Sequence, residues 1–444
     1  MYRALRNIVL ILLSVLPGRG QQSGDPADPA NIFRRSKERL LADLDRLPRY
    51  TCIETVTRRY YRAPSHFGTR SCSQIIADHE KRTHELSLQA WDRLRLDIAV
   101  SDREEIYSWV GAARFDQGTL AAIAGSGPLG SGDFGPYIGA IFGESEVKFQ
   151  AEKPFRGRHL FEYSFDIPES RSRYHVKAKE SWFVTAYSGT FLLDPQAVDL
   201  AHLTVRTAEL PPETENCQAI SEVEYQRLPI HGSQALIPTE SRLLLIGREG
   251  QETLNIDSYA ACREYASKSV LRFDTAESPQ QNGATWPAAP STRPPLAIPA
   301  GLHFEFRVVT PIDSDTAAAG DPVEAVLRSP LHDKRGAIIA PVGARIHGRL
   351  AQVEQQLGSR DFFEIGLKFE SIEVNGTAVP FSAKLPQEWP SMYYGLYRLA
   401  PRNLPIDSGL FIFLEDHLRL RHLDSSGATV LPEASQKEET RPAR

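Results

Sequence analysis

Apolar and polar positions along the first two thirds of the chain alternate with a period of two. Phe161, Tyr163, Phe165 and Ile167 alternate with Glu162, Ser164 and Asp166. Tyr174, Val176 and Ala178 alternate with His175, Lys177 and Lys179, and Leu94, Leu96 and Ile98 with Arg95 and Asp97. Such alternation predicts antiparallel strands with one packed and one wetted face. Further strands are expected at Tyr50–Tyr61, Ile106–Val110, Ser181–Tyr187, Gly189–Leu193, Leu203–Thr207, Ala219–Gln226, Glu240–Ile246 and Glu252–Cys262. Helical spacing is confined to about Pro29–Arg46, where Ile32, Phe33, Leu40, Leu41, Leu44 and the following Leu47 fall mostly on one face, and to short apolar runs at Leu120–Ile123 and Tyr137–Phe142.

Thr275–Ile298 breaks the pattern. Five prolines among Gln, Asn, Ser and Ala read as a semi-rigid linker. Strands resume behind it: His303–Val309, Pro322–Leu327, Ala337–Ile339, Ala344–Gln352, Phe362–Ile372, Thr377–Leu385, Leu410–Leu414 and His417–His422. Asn375-Gly376 marks a two-residue hairpin. A repeated Pro-x-Gly turn, Pro299-Ala300-Gly301 and Pro341-Val342-Gly343, launches two of these strands. Its proline is expected at the φ-fixed position of a type I turn and its glycine at the exit.

The fold class is therefore mostly β (α+β). An N-terminal curved antiparallel sheet with a few short helices is expected over residues 21–274. The linker follows at 275–298, then a small β-barrel at 299–430 and a disordered tail at 431–444. Residues 1–20 read as a secretory signal: Arg3 and Arg6 precede an apolar core from Ile8 to Leu16, and Gly18-Arg19-Gly20 offers small residues at a cleavage site. That core is shorter than the roughly 20 residues a membrane span needs, and no other stretch qualifies.

A formal net charge of −5 without a basic block excludes a nucleic-acid footprint and gives no reason to expect a preference for anionic lipids. The four cysteines, Cys52, Cys72, Cys217 and Cys262, form an even set in a secreted chain and are expected to pair. Three connectivities are open. The short pairings Cys52–Cys72 and Cys217–Cys262 come first because each closes a modest loop. Their spacing does not suit zinc.

No residue set defines a chemistry. His79-Glu80-Lys81-Arg82-Thr83-His84 is one residue too long for H-E-x-x-H, which turns the second histidine about 140° away on a helix. Gly125-Ser126-Gly127-Pro128-Leu129-Gly130 matches G-x-G-x-x-G but lacks the flanking strand and helix. Ser108 and Ser131 sit in no nucleophile elbow. His417 and His422, near Glu415 and Asp416, read as surface histidines. The candidate ligand-binding residues are Leu120, Ile123, Tyr137, Ile138, Ile141 and Phe142. They form either a helical lid over a hydrophobic ligand or a helix closing the core.

Two family resemblances attach to these residues. Gly189-Thr190-Phe191-Leu192-Leu193-Asp194-Pro195, followed by Leu203-Thr204-Val205-Arg206, resembles the hairpin of the lipoprotein-carrier (LolA-like) half-barrel, which implies a sheet around an apolar cavity. The cysteines are not part of that pattern. Ser314-Asp315, Gly320-Asp321-Pro322-Val323-Glu324-Ala325-Val326-Leu327 and Ile338–Arg349 resemble the TrbI-like β-barrel of type IV secretion core-complex proteins. The pore-forming antenna of that family has no counterpart, so the resemblance implies an envelope barrel rather than a channel. The chain as a whole resembles secreted bacterial proteins of uncharacterised function.

The expectation is a secreted or periplasmic, non-enzymatic envelope protein without a cofactor, binding a hydrophobic small molecule or an envelope protein. A structural scaffold docking through the C-terminal barrel is the alternative. A hydrolytic enzyme with a site invisible in sequence is the second alternative.

Overall fold

The computed structural model describes residues 28–45, 49–63, 70–81, 85–101, 104–112, 129–130, 135–178, 181–230, 232–264, 297–388 and 405–432. The expected signal peptide, almost all of the linker, the tail from residue 433, and the candidate residues Leu120 and Ile123 lie outside these.

The protein is mostly β. Ten strands of the first half form one antiparallel sheet: β1 (Tyr50–Arg62), β2 (Ser87–Ser101), β3 (Glu104–Trp109), β4 (Glu146–Phe155), β5 (Arg158–Ile167), β8 (Tyr187–Asp194), β9 (Asp199–Thr207), β10 (Asn216–Ile230), β11 (Ser233–Gly247) and β12 (Glu252–Glu264). Their order is β3-β2-β1-β12-β11-β10-β9-β8-β5-β4. The first and last strands by sequence, β1 and β12, are therefore neighbours. Between β5 and β8 the chain makes an excursion carrying a separate hairpin, β6 (His175–Ala178) and β7 (Ser181–Val184).

Three helices pack on this sheet: α1 (Pro29–Asp45), α2 (Cys72–Lys81) and α3 (Pro136–Glu144). Asp28 caps α1, its carboxylate accepting the Asn31 N–H at 3.2 Å, with Pro29 in the first turn. Ser71 and Gln74 cap α2 reciprocally: the Ser71 N–H donates to the Gln74 amide oxygen at 3.0 Å and the Gln74 N–H to the Ser71 hydroxyl at 3.3 Å. The sequence pattern did not assign α2, although this Ser-x-x-Gln signature precedes Ile75 and Ile76.

The disulfides correct the expected pairing. Cys52 bonds Cys262, and Cys72 bonds Cys217, at separations of 210 and 145 residues. The reason is topological. β1 pairs with β12, so Cys52 and Cys262 sit on adjacent strands at a register shift. Cys72 opens α2, which packs with Ile75 on Cys217, Ile220 and Ile246.

In the second half the main strands are β13 (His303–Val308), β15 (Pro322–Leu327), β18 (Arg345–Gln356), β19 (Phe362–Val374), β23 (Ser408–Phe413) and β25 (Leu423–Val430). They pair in the order β25-β13-β15-β18-β19-β23 over a core that includes Phe306, Phe369, Ile346 and Ile365. The smaller strands are β14 (Ile312–Asp313), β16 (Leu331–His332), β17 (Ile338–Ala340), β20 (Thr377–Pro380), β21 (Ala383–Lys384), β22 (Gln387–Glu388) and β24 (Arg419–Leu420). The Asn375-Gly376 hairpin joins β19 to β20 as expected.

The Pro-x-Gly turn is corrected. The Ala344 N–H donates to the Pro341 carbonyl at 3.1 Å, so Pro341 occupies the first position of the turn and Gly343 the third. Gly343 has φ +82°, which makes this a type II turn.

No closed barrel separate from the first half is found among the described residues. One sheet runs through both halves, because β2 pairs with β18 through Asp92↔Glu354 and Trp91↔Gln355. The edge of β2 away from β1 is shared three ways. Residues 90–92 face β18, Arg93 and Arg95 exchange backbone hydrogen bonds with Ala319 at 2.7 and 2.8 Å, and Leu96–Ser101 face β3.

Candidate functional site

One register row shows how the sheet builds its inner face, the one carrying α1 and α3. Across the strands run Leu94, Val56, Asp257, Ser241, Val223, Leu203, Phe191, Tyr163 and Phe149. The period of two puts all of them on one side. The row is polar in its β12–β11 part and apolar from β10 onward.

The apolar part is packed by the chain itself. Ile32, Leu40 and Leu44 of α1 and Ile138, Ile141 and Phe142 of α3 are buried against Tyr163, Phe165, Phe191, Leu203, Val205 and Val223. The Phe142 and Phe191 ring centroids are 4.8 Å apart. The Tyr163 hydroxyl donates to the Pro29 carbonyl at 2.7 Å, and burial pushes its pKa well up. Tyr137 is half-buried at the rim, its ring 6.1 Å from that of Tyr174. Four of the six sequence-predicted ligand residues are thus brought together on α3, and three of them are core.

The polar part was not singled out from sequence. Glu54, Arg58, Asp92, Ser241, Asn255 and Asp257 lie on β1, β2, β11 and β12, and none is more than 4% exposed. Arg58 clasps Asp92 with two parallel bonds, Nε to Oδ1 at 2.6 Å and Nη2 to Oδ2 at 2.8 Å, and the Tyr60 hydroxyl adds a third at 2.9 Å. The Ser241 hydroxyl donates to Asp257 at 3.0 Å and lies 3.3 Å from the Tyr259 hydroxyl. A second row continues this polarity into the other half: Asn255, Arg58, Asp92, Glu354 and Glu364 stand opposite one another in turn. Gln352 bridges the two glutamates, its amide nitrogen 3.0 Å from Glu354 and 2.8 Å from Glu364. Leu129 packs against Val56 and Leu94 beside this cluster, and Gly130 faces Leu243.

Parity was the available signal. Leu94, Leu96 and Ile98 define the inner parity of β2, and Asp92 shares it. Cys52 and Val56 define that of β1, and Glu54 and Arg58 share it.

The other sequence candidates are accounted for locally. His79 Nδ1 lies 2.7 Å from Glu252 across to β12, while His84 lies outside the described residues. Ser108 is buried in β3. Of the glycine-rich run, only Leu129 and Gly130 are described. His422 is exposed. His417 stands near Asp313 and Asp315, the one group among the described residues with metal-ligand spacing. Arg419 already lies between those carboxylates, at 3.1 Å from Asp313 and 3.6 Å from Asp315. The Asp315 N–H bond, with the Arg419 guanidinium beside it, holds the Asp313 carboxyl below its ordinary range.

The junction is built by arginines of β2. Arg93 donates to the carbonyls of Ser314, Asp315 and Ala317 at 3.0–3.2 Å. Burial, with Arg95 beside it, lowers its pKa. Arg95 donates to the Thr316 carbonyl at 2.9 Å and pairs with Asp321. Trp91 Nε1 donates to the Gln355 amide oxygen at 2.7 Å. No helix of the described residues is long and apolar enough to cross a membrane.

Scans against protein-family profiles and against curated proteins find no match. Among solved structures, the chain is similar to a DUF1329 family protein from Desulfovibrio piger ATCC 29098, at 10% identity and a TM-score of 0.27, over 55% of this chain and 96% of that one. A TM-score of that size is too low to argue a fold or a function from.

Proposed function

We propose that this is an extracytoplasmic envelope protein that acts by binding, with its ligand site on the polar part of the inner face. One observation carries the reading. Charged and amide groups at Glu54, Arg58, Asp92, Asn255 and Asp257 are buried on a sheet face whose other part is apolar. Desolvating an ion pair costs several kcal/mol per ion, so an apolar face would serve stability at least as well. A ligand bearing polar groups suits the polar part of the row, because α1 and α3 already fill the apolar part. Two disulfides joining distant segments support an oxidising compartment, the periplasm or outer envelope.

Native mass spectrometry of protein gently released from the periplasm tests this. A bound small molecule, lost in an Arg58→Met, Asp92→Leu double variant that stays folded, is the expected result. A ligand-free wild type counts against it.

The junction favours a second reading, a scaffold. In this reading the second half is a small barrel left continuous with the first-half sheet through β2, and residues 383–388 touch strands on both sides, β21 pairing β25 and β22 pairing β23. The resemblance of its sequence to envelope barrels would make it the docking part, joined to the first half through β2. Cross-linking in cells would then trap one persistent protein partner on this half.

A further inference from the structure

The excursion between β5 and β8 carries charge the ligand reading does not use. Ile167 and Tyr187 pair directly, so residues 168–186 stand outside the main sheet. This segment holds four Lys or Arg and two Glu, a formal charge of +2 in a chain of −5. Its basic residues recur at every second position. Arg171, Arg173, His175 and Lys177 are all exposed. The residues between them turn inward. Tyr174 packs on Tyr187 with ring centroids 5.7 Å apart, and Val176 packs against the cluster of Leu210, Ala219 and Leu243. One face of the hairpin is thus anchored; the other displays His175 and Lys177, with Arg173 just before β6 and Arg171 ending the short helical turn Glu169–Arg171 that leads to it.

Apolar groups share the displayed face. Lys177 pairs with Trp182 and His175 with Val184 across β6 and β7. Trp182 is 62% exposed and Val184 38%. The Lys177 ammonium lies 6.0 Å from the indole centroid, and the His175 ring meets it edge-on at 6.4 Å. Acidic neighbours among the described residues include Glu169, which opens the excursion, and Glu213 on the short helical turn Pro212–Thr214 that touches β6; Glu180 lies outside the described residues.

From this face we infer that the hairpin is a docking element for an anionic lipid surface. Regularly spaced cations meet headgroup phosphates, while an exposed indole with a neighbouring valine enters the interfacial layer that tryptophan favours. An acidic protein surface would supply the charge but would leave Trp182 without an interfacial layer to enter. Net charge alone conceals this site, because the acidic residues that outweigh the row lie elsewhere in the chain.

The test is vesicle flotation of the full mature protein with phosphatidylcholine alone or mixed with phosphatidylglycerol, at low and high salt. Retention on the mixed vesicles only, reversed by salt, is expected. Combined Arg171→Glu, Arg173→Glu and Lys177→Glu lowers partitioning on the order of a hundredfold, since each cation contributes about a factor of ten or less near such a surface. Trp182→Ser lowers it severalfold and leaves the salt dependence unchanged. Combined Lys334→Glu and Arg335→Glu, at exposed cations of the second half, leaves it as in wild type, which separates this element from the overall charge of the protein. Equal retention on neutral and mixed vesicles, retention of the triple variant at the wild-type level, or binding to soluble polyphosphate without flotation would each overturn the inference. Salt reversal of the wild type needs no variant and so does not depend on how the substitutions fold.

Discussion

Replacing Gly320 by alanine probes the joint between the two halves. Gly320 has φ +101°, and a Cβ there would stand 2.3 Å from the Arg95 carbonyl oxygen and 2.8 Å from the Trp109 ring. A backbone oxygen on a paired strand cannot swing aside, so the loop must lift off β2. Lifting it strains the Ala319–Arg93/Arg95 backbone bonds at 2.7 and 2.8 Å and the Gly320 N–H bond to Leu350 at 2.8 Å. The positive φ costs about 1 kcal/mol and each lost bond about 1 kcal/mol, so the sum is roughly 3–5 kcal/mol. Gly343→Ala is the matched control. Gly343 also has positive φ, but nothing lies within 4 Å of its missing Cβ, so only the backbone penalty of about 1 kcal/mol applies. Urea unfolding followed by tryptophan fluorescence compares the two. A Gly320→Ala midpoint well below that of Gly343→Ala is expected. Equal midpoints would refute the claim that the loop's close approach to β2 holds the halves together.

Other outcomes follow from the same geometry. Non-reducing peptide mapping should recover Cys52–Cys262 and Cys72–Cys217, and losing either bond through paired serines should cost about 2–5 kcal/mol in thermal or urea unfolding. Arg227→Ala removes the guanidinium that joins Asp43 of α1 to Asp199 of β9, and should lower stability by about 2–4 kcal/mol and loosen α1 in hydrogen exchange. Burial holds the His202 pKa below its ordinary value, with Lys153 and Arg156 acting the same way and Glu222 and Glu224 opposing. The unfolded chain therefore binds a proton that the folded chain resists, so stability should fall as pH drops through the ordinary histidine range, and His202→Gln should flatten that slope in urea midpoints taken from pH 7 to 5.

Much of the fold was legible because the sheet is half packed on each strand. Phe161–Ile167 and Pro322–Leu327 alternate cleanly and became β5 and β15. β4 was harder to see: Val147 and Phe149 lie among residues that remain mostly exposed at the sheet edge, so burial wrote little into that segment. α2 carried a readable capping box but only two large apolar residues, because it covers a narrow strip of the outer face. The disulfide partners were not legible, since loop length says nothing of β1 and β12 lying side by side. The polar part of the inner face was half legible. Parity alone placed Asp92, Glu54 and Arg58 inward, but the Arg58–Asp92 clasp needs the β1–β2 register, and its continuation to Glu354 needs the pairing of β2 with β18. Charged residues in a strand read as its wet face unless the inner parity is fixed first, and that rule misdirects wherever a sheet buries charge.

Ligand recognition by the buried polar groups of the inner face is the proposal on which the functional reading depends. Its most direct test is a crystal structure of protein purified from its native periplasm without denaturant. Electron density for a bound small molecule on the inner face, in contact with Arg58 or with the Ser241–Asp257–Tyr259 group, is the expected result. The absence of any bound molecule at Arg58 and at the Ser241–Asp257–Tyr259 group, in crystals of protein that was never stripped, would contradict it.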